Sequence, residues 1–200
     1  MAPEFLDKQQ VQRFQSLAWP LRAVVLRTAR YLTRRDDEAE DLAQDTMIKA
    51  LRAMDSFQDG TDMKAWLMTI LRRTHIDRLR AAHRHDRELS LDALELEPAS
   101  PSADQAGHFD GQWGQPEDLM ARFEDEAIIQ AMQALPEDIR WTLLLVDVEQ
   151  MPQADVAAVL DVPQGTIKSR THRGRAMLRD RLYEFACQRG WVNTVERPAP

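Results

Sequence analysis

The stretch Gln153–Leu178, QADVAAVLDVPQGTIKSRTHRGRAML, limits what the rest of this chain can be. Val156, Ala157 and Leu160 recur at helical spacing and predict a short helix with one buried face. Asp161-Val162-Pro163 then interrupts it, because proline fixes φ and has no N–H for a continuing helix. A second helix is predicted to begin near Pro163 or Gln164, and it carries Lys168, Arg170, Arg173 and Arg175 within eight residues. Two helices joined by a tight turn, the second one basic, have the layout of a helix-turn-helix, whose second helix enters the major groove of DNA. Ile167 is expected to pack on the first helix. Lys168, Ser169, His172 and Arg173, at i, i+1, i+4 and i+5, share roughly the opposite side. Gly165, near the helix start, would let backbone N–H groups approach a phosphate. The same charges also suit an amphipathic helix pair with a solvated basic face, but the proline-bounded turn and the Gly-Thr helix start favour DNA.

A net charge of −7 over 200 residues argues, taken whole, against a polyanionic partner. The distribution of that charge along the chain argues the opposite. Residues 63–90 hold seven Lys/Arg and three Asp/Glu, and residues 163–190 hold seven and two. Between them, residues 91–126 hold one Lys/Arg and ten Asp/Glu. Two basic blocks flank an acidic one, so two surfaces could face DNA. The length allows one large domain or two small ones. A single cysteine, Cys187, cannot form an internal disulfide, which suits a reducing cytoplasm and reads as an incidental thiol. MAPEFLDKQQ has no apolar segment, which predicts no secretory leader, and no run approaches the eighteen apolar residues of a membrane span.

Taken in order, the chain predicts helices throughout and no strand. Val11 to about Arg35 has apolar positions at Phe14, Leu17, Leu21, Val24, Val25 and Leu32, with Pro20 starting or kinking a helix. Asp36 or Asp37 is the expected N-cap of the next helix, with Glu40 as capping-box partner. That helix reaches about Met54, with an inner stripe of Leu42, Thr46, Met47, Ala50, Leu51 and Met54. Its outer face carries Glu38, Asp41, Gln44 and Asp45. A solvated face explains these acids more simply than catalysis, since nothing marks a desolvated cleft that would shift a carboxyl pKa. After a loop with a turn at Gly60, a third helix is expected from Met63 to Arg84 with core positions Trp66, Ile70, Ile76 and Leu79. Arg72, Arg73, Arg78, Arg80 and Arg84 fall on its remaining surface. Trp66 alone suits the core better than a base-stacking platform. The five histidines lack a Cys-x-x-Cys or a completing acid set, so no metal or other cofactor is expected.

The proline- and glycine-bearing acidic stretch 89–118 reads as a flexible spacer. The expected division is therefore a first helical domain at 10–88, the acidic linker at 89–118, a second helical domain at 119–188 and a tail at 189–200. In the second domain, Phe123, Ile128, Ile129, Met132 and Leu135 form one helix stopped by Pro136. Ile139, Leu143, Leu144 and Val146 form the next, followed by the helix-turn-helix.

Two segments resemble a known pair. AEDLAQDTMIKALRAMDSF (Ala39–Phe57) with MKAWLMTILRRTHIDRLR (Met63–Arg80) is similar to region 2 of bacterial sigma-70 family factors. LPEDIRWTLLLVDVEQMPQADVAAVLDVPQGTIKSRTHRGRAML (Leu135–Leu178) is similar to region 4. With only a short linker between them, the layout resembles the extracytoplasmic-function group. The resemblance implies an all-α initiation factor, not an enzyme, that acts in the cytoplasm, often in stress responses. Its implied partners are core RNA polymerase (the β′ clamp helices and β flap), promoter DNA and an anti-sigma factor, with a monomer expected when free.

Carried over by position, Asp41, Gln44 and Asp45 match the face that grips the clamp helices. Asp59, Thr61, Lys64 and Trp66 match the part that captures an unstacked −10 base, whose flipping a shaped pocket and stacking can offset. Arg72, Arg73, Arg78 and Arg80 would track −10 phosphates. Gly165, Thr166, Lys168, Ser169, Arg170, His172 and Arg173 match the element that reads the −35 sequence. The acidic linker would thread the polymerase cleft and RNA exit path. Departures stand at Gln153 and Ala154, where an aromatic and an acid are common, and at Thr171, where an apolar residue is common and looser packing is expected. Gly174 implies room for close approach to DNA or to the flap.

Two other classes compete with an initiation factor. A stand-alone helix-turn-helix repressor or activator would bind duplex DNA without polymerase and favour a palindromic site. A nucleic-acid enzyme would use the acidic helix and a metal. A repressor has no use for a strongly acidic spacer, and an enzyme would need its acids to converge.

Overall fold

A computed structural model describes residues 7–90 and 126–188, and those residues form helices and turns without a strand. The acidic spacer beyond residue 90, Phe123 and the tail lie outside the described residues, as does the side chain of Cys187, and residues 89–90 belong to a helix. Helix α1 (Lys8–Arg13) begins at Asp7, whose carboxylate accepts from the Gln9 N–H. It passes through a π-helical turn (Phe14–Ala18) and a 3-10 turn (Trp19–Leu21) into α2 (Arg22–Leu32). Pro20 lies in the first positions of the 3-10 turn, so it starts an element as expected, where its missing N–H costs no ladder bond.

Helix α3 (Asp36–Arg52) carries Asp36, Asp37 and Glu38 in its first turn and Lys49 and Arg52 in its last, the charge order that the helix dipole favours. Neither Asp36 nor Asp37 is the N-cap, contrary to expectation. Arg35 occupies that position without a side-chain cap, and Asp37 instead pairs with Arg35 and accepts from the Glu38 N–H at 3.0 Å. Leu42, Thr46, Met47, Ala50 and Met54 are buried as the spacing predicts, while Leu51 is half-buried.

Helix α4 (Met63–Ser90) departs further from its predicted register. Its buried residues are Leu67, Met68, Leu71, Thr74 and His75, whereas Trp66, Ile70, Ile76 and Leu79 are half-buried. Helical spacing fits both stripes, which lie side by side on one cylinder. The choice between them is made by a second set of helices packed along α4, which takes Ile76 and Leu79 into a separate cleft.

That second set consists of α5 (Glu126–Gln133), α6 (Glu137–Leu143), α7 (Gln153–Leu160) and α8 (Gln164–Gln188). A π-helical turn (Leu144–Val148) extends α6. Ile128, Met132, Leu135, Ile139, Leu143 and Leu144 are buried as predicted, and Trp141 and Leu145 join them. The Arg140 guanidinium donates to the carbonyls of Gln133 (2.5 Å) and Leu135 (2.9 Å), satisfying groups that the end of α5 leaves open. Helix α7 ends at Asp161 in the left-handed conformation, φ 55°, a position that aspartate tolerates better than most residues. The Val162 N–H turns back to the Ala157 carbonyl at 3.1 Å, and α8 starts directly after Pro163.

The two sets meet along α2 against α5 and α4 against α7. Gln133 donates its side-chain amide to the carbonyls of Thr33 and Arg30. The His75 ring stands edge-on to Trp141, with centroids 5.9 Å apart.

Gly174 faces this interior, not DNA or an outside partner. A Cβ on it would lie 2.7 Å from Ile139 Cγ2 and 2.9 Å from Leu143 Cγ, so the glycine lets α8 lie directly on α6. Gly174→Ala should therefore lower thermal stability. Overpacking of about 1–3 kcal/mol outweighs the roughly 1 kcal/mol that alanine gains in a free helix. An unchanged or raised Tm would contradict this contact.

Burial holds the His75 imidazole below its ordinary 6.5, with Glu137 opposing the shift and Arg140 and Arg78 adding to it. As pH falls below about 6.5, the unfolded chain takes up a proton that folded His75 resists, so stability is lost on the acid side. His75→Gln should lose less Tm than the wild type between about pH 7 and pH 5.5, measured by thermal melts.

Candidate nucleic-acid interface

The orientation of α8 follows from what its inner side buries. Ile167, Thr171 and Gly174, at i, i+4 and i+7, face the domain. Thr171 is accommodated because its hydroxyl donates to the Ile167 carbonyl at 2.8 Å, so the polar substitution leaves no unsatisfied group. Lys168, Ser169, His172 and Arg173 are then all exposed on one outer side. Lys168 and Arg173 enter no ion pair among the described residues, and Ser169 donates to the Thr166 carbonyl at 3.0 Å. Gly165 is exposed at the first turn, with open space where a Cβ would go, so packing does not require it. Thr166 is half-buried beside it.

Arg170 does not belong to that side. It pairs with Asp138 on α6 at 3.1 Å and lines the cleft between the two helix sets. The charge count alone could not show this, since Arg170 lies about 200° around the helix from Lys168 at roughly 100° per residue. Arg175 likewise turns back to Asp147, at 2.6 Å.

In the first domain the loop before α4 is held from both ends. Arg13 donates to the Phe57 carbonyl at 3.3 Å and to Asp59 at 2.7 Å. The Thr61 hydroxyl donates to the Gln58 carbonyl, and Gly60 takes φ +89°, the turn expected there. Asp62 caps α4 by accepting from the Lys64 N–H at 2.7 Å. Trp66 is half-buried, edge-on to the buried Phe57 with centroids 5.4 Å apart.

The remaining predicted cations separate into three settings. Arg73 is exposed. Arg78 pairs with Asp45 across α3 and α4, which joins a residue assigned to polymerase with one assigned to DNA. Asp41 and Gln44 remain exposed on the outer face of α3, next to Ile48, a large apolar residue 40% exposed. Arg72 and Arg80 line a cleft of ≈ 570 Å³ together with Ile76, Leu79, Trp141 and Arg170, so they face the second domain.

Lys64 also faces that way. Its ammonium lies 2.9 Å from the carboxylate of Glu149, and Arg27 and Thr28 bond the same carboxylate. Sequence reasoning missed Glu149, Arg27, Arg13 and Asp138. Each acts through a partner distant in the chain, and no periodicity or motif marks such a pair.

These two helical bodies, with a turn-separated basic helix in the second, define an all-helical protein of the helix-turn-helix class. The first matches the family model for sigma-70 region 2 over residues 20–85, and the second matches that for sigma-70 region 4 over residues 125–178. The chain is 38% identical to the ECF RNA polymerase sigma factor EcfG of Rhodopseudomonas palustris over 74% of its own length and 72% of that protein. It is 34% identical to the ECF sigma factor SigE of Mycolicibacterium smegmatis, over 82% of this chain and 59% of that one. Among solved structures it resembles the sigma factor RpoE of Bartonella quintana, determined in complex with the anti-sigma factor NepR. There the TM-score is 0.63 with 30% identity, covering 88% of this chain and 98% of that one. The chain belongs to the sigma-70 family, in its extracytoplasmic-function group, and is an alternative sigma factor for transcription initiation.

Asp45 and Arg78 are tied to each other, so removing either should release the other. Arg78→Ala is expected to strip the partner from Asp45 and perturb polymerase binding as well as DNA binding. Separate binding assays with core enzyme and with a −10 oligonucleotide would reveal this; a defect confined to DNA would show that the pair is not coupled.

Proposed function

We propose that the outer side of α8 (Lys168, Ser169, His172 and Arg173) reads the −35 element in the major groove, with Gly165 and Thr166 near the adjacent backbone phosphates. The observation that carries this is the four exposed residues on one side, two of them cations without ion pairs among the described residues, above a buried seam at Ile167, Thr171 and Gly174. Arg170 acts differently: its pair with Asp138 makes it a strut within region 4. The loop with Asp59 and Thr61, together with Lys64 and Trp66, captures the −10 base. Arg72, Arg73, Arg78 and Arg80 follow the phosphates of that strand, whose charges reward cationic tracks. Asp41, Gln44 and Asp45 dock on the polymerase β′ clamp helices, with Ile48 as the apolar anchor of that contact.

The protein performs no catalytic step of its own and acts in the cytoplasm, where its polymerase and promoters are. An anti-sigma factor is its regulatory partner, a reading supported by the Bartonella relative having been solved with one. The residues of this chain do not favour a stand-alone repressor, because the acidic face of α3 would then have no partner.

Reconstituted transcription tests the reading. Core polymerase with this protein should initiate at a fixed distance from paired −35 and −10 sequences, and core alone should not. Lys168→Ala or Arg173→Ala should lower −35-dependent initiation by about 5- to 150-fold, matching about 1–3 kcal/mol per contact. Asp41→Ala should weaken core binding instead. Duplex binding without polymerase, and no transcript, would overturn the proposal.

A further inference from the structure

We infer that Glu149 is a latch: a region 4 carboxylate that occupies the cations of region 2 in place of a DNA phosphate and keeps the free protein closed. The inference rests on the assignment of Lys64 to −10 DNA given above. The Glu149 side chain is fully buried, and its bonding partners come from the other domain, 85 to 122 residues away. Arg27 donates to both carboxylate oxygens at 2.9 Å, the Thr28 hydroxyl donates at 3.1 Å, and Lys64 lies 2.9 Å away. Lys64 also donates to the Glu149 backbone carbonyl at 2.5 Å.

The residue is held firmly in this position. The π-helical turn ends at Val148, the Glu149 N–H donates to the Leu144 carbonyl at 2.8 Å, and the Met151 N–H donates to that of Leu145 at 2.9 Å. Gln150 between them takes φ +51°, a left-handed conformation that a non-glycine side chain adopts only when its surroundings hold it there. Met151 beyond it is buried. The chain thus turns sharply with Glu149 pointing into region 2.

Carboxylate and phosphate oxygens accept the same charge-assisted bonds from guanidinium and ammonium groups. Glu149 and the −10 DNA therefore compete for Lys64. The closed arrangement also turns Arg72 and Arg80 toward region 4 across the cleft. Three of the cations assigned to the −10 strand are engaged or faced by the second domain, so DNA binding and closure are mutually exclusive. A ligand that binds only the open state must shift that equilibrium, and weakening the latch must raise the ligand's affinity by the same factor.

The test uses the full chain with Glu149→Gln, which keeps the volume and removes the charge, and with Arg27→Gln, which removes the bidentate partner at a half-exposed position. Two quantities are read: the radius of gyration from small-angle scattering, and the affinity for a single-stranded −10 oligonucleotide by anisotropy, with far-UV circular dichroism confirming folding. Each variant should scatter as a larger particle and bind the oligonucleotide about 5-fold or more tighter. The double variant should be no more open than either single one, because the two substitutions break one contact. Unchanged dimensions in Arg27→Gln and Glu149→Gln would overturn the latch, as would opening without tighter binding. Failure of the sigma-factor reading would appear separately, as wild-type protein that directs no transcription with core polymerase.

Discussion

The close approach of α8 to α6 at Gly174 is the constraint on which the rest of region 4 depends. Only one rotation of α8 turns its glycine toward α6, and here the side chains of Ile139 and Leu143 fill the space that a Cβ would take. That rotation sends Ile167 and Thr171 inward and leaves Lys168, Ser169, His172 and Arg173 outside. The surface proposed to face DNA is thus set by packing on the opposite side of the same helix. Interiors packed at crystal-like density resist rotation, which is why one glycine can fix it.

Electrostatics organises the molecule at two ranges. Within each domain, ion pairs such as Arg13 with Asp59, Arg78 with Asp45 and Arg170 with Asp138 join neighbouring elements and leave both partners partly wet. Such exposed pairs contribute little to stability, typically about 0–1 kcal/mol. Glu149 differs because its carboxylate is fully withdrawn from water and is compensated only when the other domain supplies Arg27, Thr28 and Lys64. Burying a carboxylate costs several kcal/mol unless paired and hydrogen-bonded, so its environment depends on domain arrangement as no surface pair does. The net charge of −7 conceals this distribution.

Legibility differed between elements for physical reasons. In α3 the predicted stripe is buried except for the half-buried Leu51, because one face is strongly apolar and the other strongly acidic, which leaves a single amphipathic solution. In α4 two stripes one residue apart both satisfy helical spacing. Leu67, Met68 and Leu71 are buried and Trp66 and Ile70 are not, because α4 packs against α2 and α3 on one flank and against region 4 on the other. The turn at Asp161 and the start of α8 at Gln164 were readable from proline chemistry alone. Arg170 was not, because a charge count cannot tell an outward-facing arginine from one drawn back to Asp138.

By itself the sequence determined the all-helical class, the helix-turn-helix with its basic outer side, the sigma-70 family motifs and the segregation of charge. All of these are local, carried by periodicity, turn residues and short strings of neighbours. Only the tertiary structure decided that Gly174 serves packing, that Asp45 and Arg78 neutralise each other, that Lys64 meets Glu149, and that Arg72 and Arg80 face the second domain across a cleft. Those features join residues tens of positions apart. Their energies arise from desolvation and close contact, which exist only once the helices have packed.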